Sequence, residues 1–506
     1  MNSNLCKRLL AALLACLMIV SCAFALSSCA NENDPDQDQT PSTEDDDTAE
    51  EPEDDENARI PTGLPESNFN NAEIVILEWT VDDQQTPNTR WMPWEEADVE
   101  ETNGDLINDS VYNRNAAVEE QYSVVISKVY ASVNNIGLDY MSTVRSMHSS
   151  GDDAYQILTL RSVQIGTLTL ENMMHNIADS EYIDLEKPWW NRDSVTSLSL
   201  GGNIYWASSE FLLRDKGATA CIFYNGRIAE DNGIDNLYEL AADGEWTMEE
   251  LIATASLAAT ENGDNVWNEN DVWGAVCGDD TVNYLYNGAG LKFGYINEDG
   301  YLVYDFGSDE QVSTLKSIFD DVMYAEFYAN TYSNPSAKNV KFDNDNVLYH
   351  FGMIKDVTTH RQMETNYGIL PIPKYDTAQE NYSSLVWMHH DSILGISSTV
   401  KNTDMVEIVL EALSAESYYT VYRDFYDTVI MGRSARDQQS KEMLEIIFDT
   451  RSFDPGLIWD TTPFAGKILR LSATGNSDIA SLWATYSGAI EDCVNTLNDK
   501  IDELEG

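Results

Sequence analysis

The sequence predicts an α/β fold in which short, mostly parallel strands alternate with helices, and three observations support this prediction. Short apolar runs of strand type recur along the chain. Segments with helical spacing of apolar residues separate them, as in βαβ units built around parallel sheets. The chain also ends in a long segment whose apolar residues step by three or four positions, which indicates a C-terminal helix.

The individual elements follow from residue 72 onwards. The first four are a strand at Ala72–Trp79, a helix with Ile107, Val111, Val118 and Tyr122 on one face, and strands at Ser123–Val129 and Tyr155–Leu160. In the middle of the chain, Lys292–Ile296 and Tyr301–Tyr304 flank the residues Asn-Glu-Asp-Gly, which predicts a β-hairpin. The last helix is predicted from Leu482, Tyr486, Ile490, Val494, Leu497, Ile501 and Leu504.

The charge of the chain restricts its partners. Its 506 residues carry a formal net charge of −58 at pH 7, with 87 acidic residues against 29 lysines and arginines. Nucleic acid is excluded as a natural partner, because binding to the phosphate backbone requires clustered lysine and arginine. The same charge argues against lying flat on an anionic membrane. We therefore expect a ligand that is neutral, or at least not strongly anionic.

The first 28 residues have the features of a secretory signal. Two basic residues precede the apolar run Leu9–Leu26, which leads into the sequence LSSC ending at Cys29. Small residues before a cysteine match the lipobox of bacterial lipoproteins, in which that cysteine is acylated and becomes the new N-terminus. A weaker match ends at Cys22, and an ordinary transmembrane anchor is the other interpretation. We predict a lipoprotein signal peptide at residues 1–28 and lipidation of Cys29.

An acidic segment follows the signal. Residues 31–58 contain fourteen acidic side chains, no lysine or arginine, and almost no apolar residues. Such a segment cannot bury enough apolar surface to offset the entropy of ordering, and its like charges repel one another. We predict a disordered acidic tether over residues 29–67.

Signatures of cofactor sites do not occur in the sequence. Cleavage at Cys29 would leave Cys221, Cys277 and Cys493, and their spacing suggests neither a zinc site nor a disulfide framework. A phosphate-binding glycine loop and a G-x-S-x-G nucleophile turn are also missing from the sequence. We therefore predict no cofactor.

Seven segments of the folded part occur in a characteristic order. They are Gly104–Asn115, Trp189–Trp190, Gly201–Tyr205, Ile222–Asn225, Asp243–Leu251, Tyr367–Lys374 and Ala415–Asp437. In this order they resemble the extracellular solute-binding proteins of carbohydrate ABC importers (family 1), the broad group that includes maltose-binding protein. The resemblance covers roughly residues 69–506 and is strongest to a clostridial lipoprotein subgroup.

The resemblance implies a two-lobed, periplasmic-binding-protein-like fold with hinge strands and a ligand cleft between the lobes. Lobe one would comprise residues 68–221 and 366–414, and lobe two residues 222–365 and 415–506. An open form would admit the ligand, and contacts from both lobes would stabilise a closed form that the permease recognises.

The implied function is that of a solute-binding subunit without catalytic activity. It would be lipid-anchored at the extracellular face of the cell membrane, bind a carbohydrate, in particular an oligosaccharide, and deliver it to the permease subunits of an ABC importer. Binding proteins of this type act as monomers. The alternative is a surface-anchored glycan hydrolase with paired carboxylates, because so acidic a chain offers many candidate pairs.

The resemblance also places candidate ligand contacts near strand ends, where aromatic rings and polar groups can bind a sugar. Trp79 ends the first strand, Arg161 and Ser162 follow a later one, and Phe351 ends another. The remaining candidates are Tyr284, Tyr286 and Asn287 before a glycine-containing loop, and Trp483 near the start of the last helix. These side chains are expected to face water in the ligand-free open form.

Residues 260–271 have the length and polar spacing of a calcium-binding loop. The candidate ligands, at positions 3, 5, 9 and 12, are Asn262, Asp264, Asn268 and Asp271. Thr260 supplies no carboxylate at position 1, and Asn265 replaces the turn glycine of the related proteins. A polar surface loop without metal is therefore the better interpretation.

The sequence His389-His390-Asp391 could suggest a catalytic or metal site. It lies beside an apolar strand, with no second cluster of histidine and glutamate at ligand spacing. We predict that the two histidines face solvent near the hinge, where Glu210 and Trp387 are also expected.

Overall fold

The computed structural model describes residues 59–81, 93–134, 138–331, 334–430, 438–472 and 474–505. The predicted signal peptide, Cys29 and most of the predicted tether lie outside these ranges. None of the helices within them has both the length and the apolar character needed to cross a bilayer.

The described residues form the alternating strands and helices that the sequence predicts. The strands are β1 (Ala72–Thr80), β2 (Val124–Ser132), β3 (Ile157–Leu160), β4 (Ala220–Asn225), β5 (Trp273–Cys277), β6 (Gly294–Ile296), β7 (Leu302–Tyr304), β8 (Tyr328–Asn330), β9 (Val347–Met353), β10 (Tyr367–Leu370), β11 (Ser384–Leu385), β12 (Ile393–Ile396) and β13 (Arg451–Ser452). The helices are α1 (Leu106–Tyr122), α2 (Tyr140–Ser150), α3 (Ile165–Leu170), α4 (Arg192–Ser197), α5 (Arg214–Gly217), α6 (Gly226–Asp231), α7 (Leu237–Ala242), α8 (Met248–Ala258), α9 (Thr281–Gly288), α10 (Asp309–Ser317), α11 (Val357–His360), α12 (Thr403–Tyr419), α13 (Val421–Ile430), α14 (Gln438–Asp449), α15 (Pro455–Ile458), α16 (Phe464–Leu471) and α17 (Ile479–Glu505).

The first sheet has the strand order β12-β3-β1-β2. β1 is parallel to β2 and β3, and β12 is antiparallel to β3. The run AEIVILEW is apolar at most positions because β1 is central, and its residues from Ile76 onwards are buried. The predicted strands near residues 72, 124 and 157 and the predicted helix α1 are confirmed.

The second sheet has the order β10-β4-β9-β5-β8. β5 is parallel to β8 and β9, whereas β4 is antiparallel to β9 and β10. The two segments expected to cross between lobes, β4 and β10, are therefore direct neighbours, with Leu370 opposite Ile222. Beside this sheet, β6 and β7 form the predicted hairpin, in which Gly300 adopts a φ of 83°.

Helices α12 and α13 pack against α1 beside the first sheet, and α14 packs against β10 and α7 beside the second. The boundary expected after residue 414 therefore falls inside α12. That helix stays continuous because its apolar face, which includes Val406, Val409 and Leu413, is buried among the residues of the first sheet.

Three stretches of chain connect the two sheets, and they meet in a small crossing. β11 pairs with β13, and Thr219 bridges to Val386. Buried charges join the same stretches. We call Glu210, Asp215, Lys216 and Arg451 the crossing network. Nη1 of Arg451 lies 2.8 Å from Oδ2 of Asp215, Nζ of Lys216 lies 3.1 Å from Oε2 of Glu210, and all four side chains are at most 9% exposed.

Candidate functional site

The ends of strands from both sheets bring polar residues together. β12 runs antiparallel to β3, so the residues before β12 lie beside those that follow β3. In the second sheet, charged residues follow the carboxyl ends of β5 and β9. Open α/β sheets bind ligands outside the carboxyl ends of their strands. We call the following residues the strand-end cluster: Arg161, Ser162, Asp280, Lys355, Asp356, His389, His390 and Asp391.

Arg161 is the cation that the first sheet contributes to the cluster. It directly follows β3, and its partly exposed side chain donates from Nε and Nη2 to Oε1 of Gln164 at 3.0 and 2.9 Å. Its guanidinium lies 5.3 Å from the ring centroid of Trp79, in a cation–π contact. Burial lowers the pKa of Arg161, and Asp391 opposes this effect. The group stays charged at pH 7, because an arginine pKa ordinarily lies far above neutrality.

Trp79 belongs to the core and supports Arg161. Only 1% of the residue is exposed, and its indole N–H donates to Oγ of Ser392 at 2.8 Å. The guanidinium of Arg214 also lies near the ring, 5.2 Å from its centroid. The expectation that Trp79 faces water in the ligand-free protein is therefore wrong.

The cluster contains two neutral histidines. Burial, and then Arg161, lower the pKa of His389 to about 4. Burial, and then Lys355, lower the pKa of His390 to about 3, with a further contribution from Arg161. Because Lys355 and Arg161 both act on His390, this histidine lies within electrostatic range of both sheets. Neutral imidazoles can donate and accept hydrogen bonds.

The prediction that both histidines face solvent is wrong for His390. His390 is 9% exposed and Asp391 is fully buried. Oδ1 of Asp391 accepts the backbone N–H of Ser162 at 2.9 Å, and Ser162 is itself fully buried. Burial raises the pKa of Asp391 to about 7, although hydrogen bonding to Ser162 opposes the shift.

Lys355, Asp356 and Asp280 supply the charges on the side of the second sheet. Lys355 and Asp356 lie in a 3-10 turn after β9, with Nζ 3.1 Å from Oδ1. Burial would raise the pKa of Asp356, but Lys355 and His350 lower it well below its usual range. Asp280 follows β5, and burial, together with Asp279, raises its pKa to about 6.

Helix α9 places an aromatic ring and an amide next to the cluster. The ring of Tyr284, which is 1% exposed, meets that of Trp387 edge-on with centroids 5.8 Å apart. Trp387 in turn packs against the ring of His389 at 5.2 Å. Asn287 is also buried and accepts a hydrogen bond from Ser383 at 2.8 Å. Tyr284 is thus joined to the cluster through two ring contacts, whereas Asn287 binds a crossing segment.

Asn283, one turn before Asn287 on α9, has unused hydrogen-bonding capacity. It is 1% exposed, and neither its side-chain oxygen nor its side-chain nitrogen has a partner among the described residues. A buried amide without partners costs free energy, so such groups in folded proteins require an explanation. Asn283 lies three residues after Asp280 in the chain, at the start of the helix that follows β5.

Phe351 lies inside a strand and not at its end. β9 continues through Met353, so Phe351 sits opposite Ile222 and is fully buried. Its ring packs near that of Tyr328, with centroids 6.2 Å apart. The sequence suggested an earlier end because Gly352 interrupts the apolar run.

Tyr286 and Trp483 belong to one aromatic cluster beside the hairpin. Tyr286 is 1% exposed and packs against Phe293 at 4.7 Å. Trp483 stacks on Tyr304 with an interplanar angle of 6°. A side chain at Gly307, whose φ is 117°, would come within 2.3 Å of Nε1 of Trp483. The geometry therefore gives both residues a packing role.

The loop at residues 260–271 is hydrogen-bonded within itself. The two carboxylate oxygens of Asp271 accept the backbone N–H groups of Asn262 and Asn268 at 2.9 and 2.6 Å. Oδ1 of Asp264 accepts another backbone N–H of the loop at 2.8 Å. Within the described ranges, no group of three or more histidine, cysteine, aspartate or glutamate side chains is arranged to hold a metal ion.

A cavity of 680 Å³ has no lining residue in the strand-end cluster. Its lining comes from the segment around the start of α1 and from α11, and comprises Pro93, Trp94, Glu95, Asn103, Asp105, Ile107, Asn108, Thr358, Thr359 and Arg361. Gly217 lies close to Trp94 of the cavity lining and to Lys355 of the cluster. A Cβ atom at this position would come within 2.9 Å of Trp94 and 3.4 Å of Lys355, so a glycine keeps these side chains close.

Of the residues in the strand-end cluster, Arg161 and Ser162 are among the ligand contacts expected from the sequence, whereas Asp280, Lys355 and Asp356 are not. Each of these three charges follows closely on an apolar strand, as Arg161 does. That position was the available signal. The sequence carries no comparable signal for Asn283, because the partners of a helical side chain come from segments far away in the sequence.

No protein-family model matches the chain, and no curated protein matches it. Solved structures do match it. An ABC substrate-binding protein from Listeria monocytogenes in complex with cycloalternan is 11% identical, with a TM-score of 0.51, over 85% of this chain and 99% of that one. An ABC transporter associated binding protein from B. animalis subsp. lactis in complex with beta-1,6-galactobiose is 13% identical, with a TM-score of 0.50, over 85% and 99%.

The GacH receptor of Streptomyces glaucescens, solved unliganded and in complex with acarbose, is 12% identical to the chain. Its TM-score is 0.50, over 84% of this chain and 99% of that one. At such low identities these matches establish the fold and no more. The chain has the two-lobed, periplasmic-binding-protein-like fold that the family resemblance implied.

Proposed function

We propose that this protein is the lipid-anchored, extracellular solute-binding subunit of an ABC importer, and that it binds a carbohydrate between its lobes. The observation that supports the proposal most directly is the strand-end cluster. It gathers polar groups from both sheets at the edges where α/β sheets bind ligands. The structures that share the fold include binding proteins in complex with cycloalternan, acarbose and beta-1,6-galactobiose.

The chemistry of the cluster suits a polyhydroxylated ligand. Neutral His389 and His390 can both donate and accept, and Asp356 stays charged. Outside the cluster but one turn after its Asp280, the amide of Asn283 has no partner among the described residues. A ligand that contacts both sheets would favour a closed form, because its binding free energy then depends on the two lobes together. Release to permease subunits would follow when the lobes separate.

A titration screen tests this proposal. Calorimetry and melting curves with a set of monosaccharides and oligosaccharides should find a sugar that binds and raises the melting temperature. Micromolar affinity corresponds to about −8 kcal/mol. If no sugar in the set binds, the proposal is wrong.

Asn283→Ala and Asn225→Ala form a matched pair for the same screen. Removing the unsatisfied Asn283 should weaken sugar binding about tenfold while leaving ligand-free stability unchanged or higher. Asn225 is also fully buried, but its oxygen accepts the N–H of Ile228 at 3.0 Å and its nitrogen binds Asp345. Its loss should lower stability instead.

The hydrolase alternative is supported by one feature, the raised pKa values of Asp280 and Asp391 at about 6 and about 7. Incubation with the oligosaccharides of the screen separates the two functions. A binding protein returns each sugar intact, whereas a hydrolase produces shortened products.

The lipid anchor is tested separately. Cys29→Ala should release the protein from the membrane fraction, because stable anchoring requires acyl chains on that cysteine. Release by Cys22→Ala alone would place the cleavage site at Cys22.

A further inference from the structure

Among the residues that the structure describes, the partly exposed Arg161 forms no ion pair, unlike the more deeply buried Arg214 and Arg451. Arg214 pairs with Glu78, and Arg451 lies 2.8 Å from Asp215. Where a carboxylate is missing, backbone oxygens replace it: Nη2 of Arg114 donates to the carbonyls of Glu96 and Ala97, each at 2.9 Å. Among the residues that the structure describes, the hydrogen-bonding partner of Arg161 is the neutral amide of Gln164.

An unpaired arginine is unexpected in so acidic a chain. With 87 acidic residues against 29 basic ones, carboxylates are abundant near most cations. Asp391, the acid of the cluster whose charge acts on Arg161, accepts the backbone N–H of Ser162. Asp356, on the side of the second sheet, is paired with Lys355. Burial still lowers the pKa of Arg161 on balance, so Asp391, Gln164 and the ring of Trp79 offset only part of the cost of its partial burial.

The geometry of Arg161 leaves one edge of the guanidinium available. Gln164 occupies Nε and one hydrogen of Nη2, and the ring of Trp79 at 5.3 Å holds the group in place. Nη1 and the outer hydrogen of Nη2 have no partner among the described residues, and the side chain is partly exposed. Two parallel N–H donors at this spacing match the two oxygens of a carboxylate.

We propose that the ligand is an acidic sugar, such as a uronic acid or an oligomer that contains one, and that its carboxylate binds the free edge of the Arg161 guanidinium. This inference rests on the proposed function, since it names the substrate class of the same site. One carboxylate is compatible with the strongly negative chain, because repulsion from distant surface charges is screened by salt, whereas a direct ion pair in a partly buried site is screened much less.

Matched pairs of sugars test the inference. Galacturonic acid with galactose, and glucuronic acid with glucose, are titrated as free sugars and as short oligomers. In at least one pair the acidic member should bind roughly tenfold to a hundredfold more tightly, as a charged hydrogen-bonded pair would give. Arg161→Met should abolish that preference and leave the affinity for the neutral member nearly unchanged. Arg161→Lys, which keeps the charge but not the two-pronged geometry, should retain part of it.

Arg423→Met is the control, because Arg423 is an exposed arginine that also lies over an aromatic ring, that of Tyr419 at 5.8 Å. It should change neither affinity. Melting curves of ligand-free Arg161→Met should show no loss of stability, which excludes misfolding as the cause of lost binding.

Two outcomes overturn the inference while sparing the proposed function. One is equal or tighter binding of the neutral member in every pair, with Arg161→Met weakening both members alike. The other is tighter binding of sulfated sugars than of uronic acids, which would assign Arg161 to a different anion. Failure of every acidic and neutral sugar to bind would overturn both the inference and the proposed function.

Discussion

The crossing network and the strand-end cluster both bury charge, yet their arginines have opposite environments. Arg451 lies against Asp215 and Glu210, which outweigh the effect of burial and raise its pKa. Arg161 has no carboxylate at such a distance within the described structure, and burial lowers its pKa. Charge is thus balanced inside the protein where it joins the connecting segments, and left unbalanced where a ligand can approach.

Of the changes that test this comparison, Arg451→Met should cause the largest loss of stability. It leaves Asp215 and Glu210 buried with one cation fewer, so the free energy of unfolding should fall by about 3–5 kcal/mol. Urea denaturation measures the change. Arg192→Met is the control, since its pair with Glu186 is exposed on both sides and should contribute little. Equal stabilities of the two variants would show that the crossing network does not stabilise the fold.

Trp79→Ala should lower the free energy of unfolding nearly as much, because Trp79 contacts Arg161 of the cluster and Arg214 near the crossing. Removing a fully buried tryptophan typically lowers the free energy of unfolding by about 3–5 kcal/mol. Thermal and urea denaturation of the ligand-free protein measure the loss. Tyr295→Ala, at an exposed aromatic residue, is the control. An unchanged stability of the Trp79→Ala variant would show that Trp79 is not part of the core, and it would support the expectation that this side chain faces water in the open cleft.

Asp391→Asn should give a smaller effect that depends on pH. The pKa of Asp391 rises from 3.8 to about 7 on folding, so its stabilising contribution is complete below about pH 4 and is lost as the pH rises through 7. Asparagine has no such proton. The melting temperature of the variant minus that of the wild type should therefore become more positive between pH 5 and pH 8. His389 and His390 occur in both proteins, so their contributions largely cancel. A constant difference would mean that Asp391 titrates near its ordinary pKa.

Calcium should have the smallest effect, because the loop at 260–271 lies outside both regions and its carboxylates already accept backbone N–H groups. Millimolar calcium should leave the melting temperature nearly unchanged, and chelator should change it even less. A rise of several degrees that Asp271→Asn abolishes would establish a metal site there.

Much of the fold could be predicted because its signals are local. The apolar run of β1, the helical face of α1, the hairpin turn before β7 and the stepping pattern of α17 each depend on residues within one segment. The position of Arg161 and Ser162 directly after a strand could also be predicted, since it is a property of nearby sequence. The same reasoning placed Phe351 at the end of its strand, because the pairing of β9 with β4 that extends the strand to Met353 involves a distant segment.

The sequence by itself determined the alternating α/β pattern, the strongly acidic character and the position of charged residues after strands. The tertiary structure decided which of these charges find partners. Ser162 and Asp391 are 229 residues apart in the chain, and Asp215 and Arg451 are 236 apart, yet each pair is hydrogen-bonded. Burial and pairing sum contributions from segments that only the folded chain brings together, which is why the contrast between Arg161 and Arg451 could not be predicted from either residue's neighbours in the sequence.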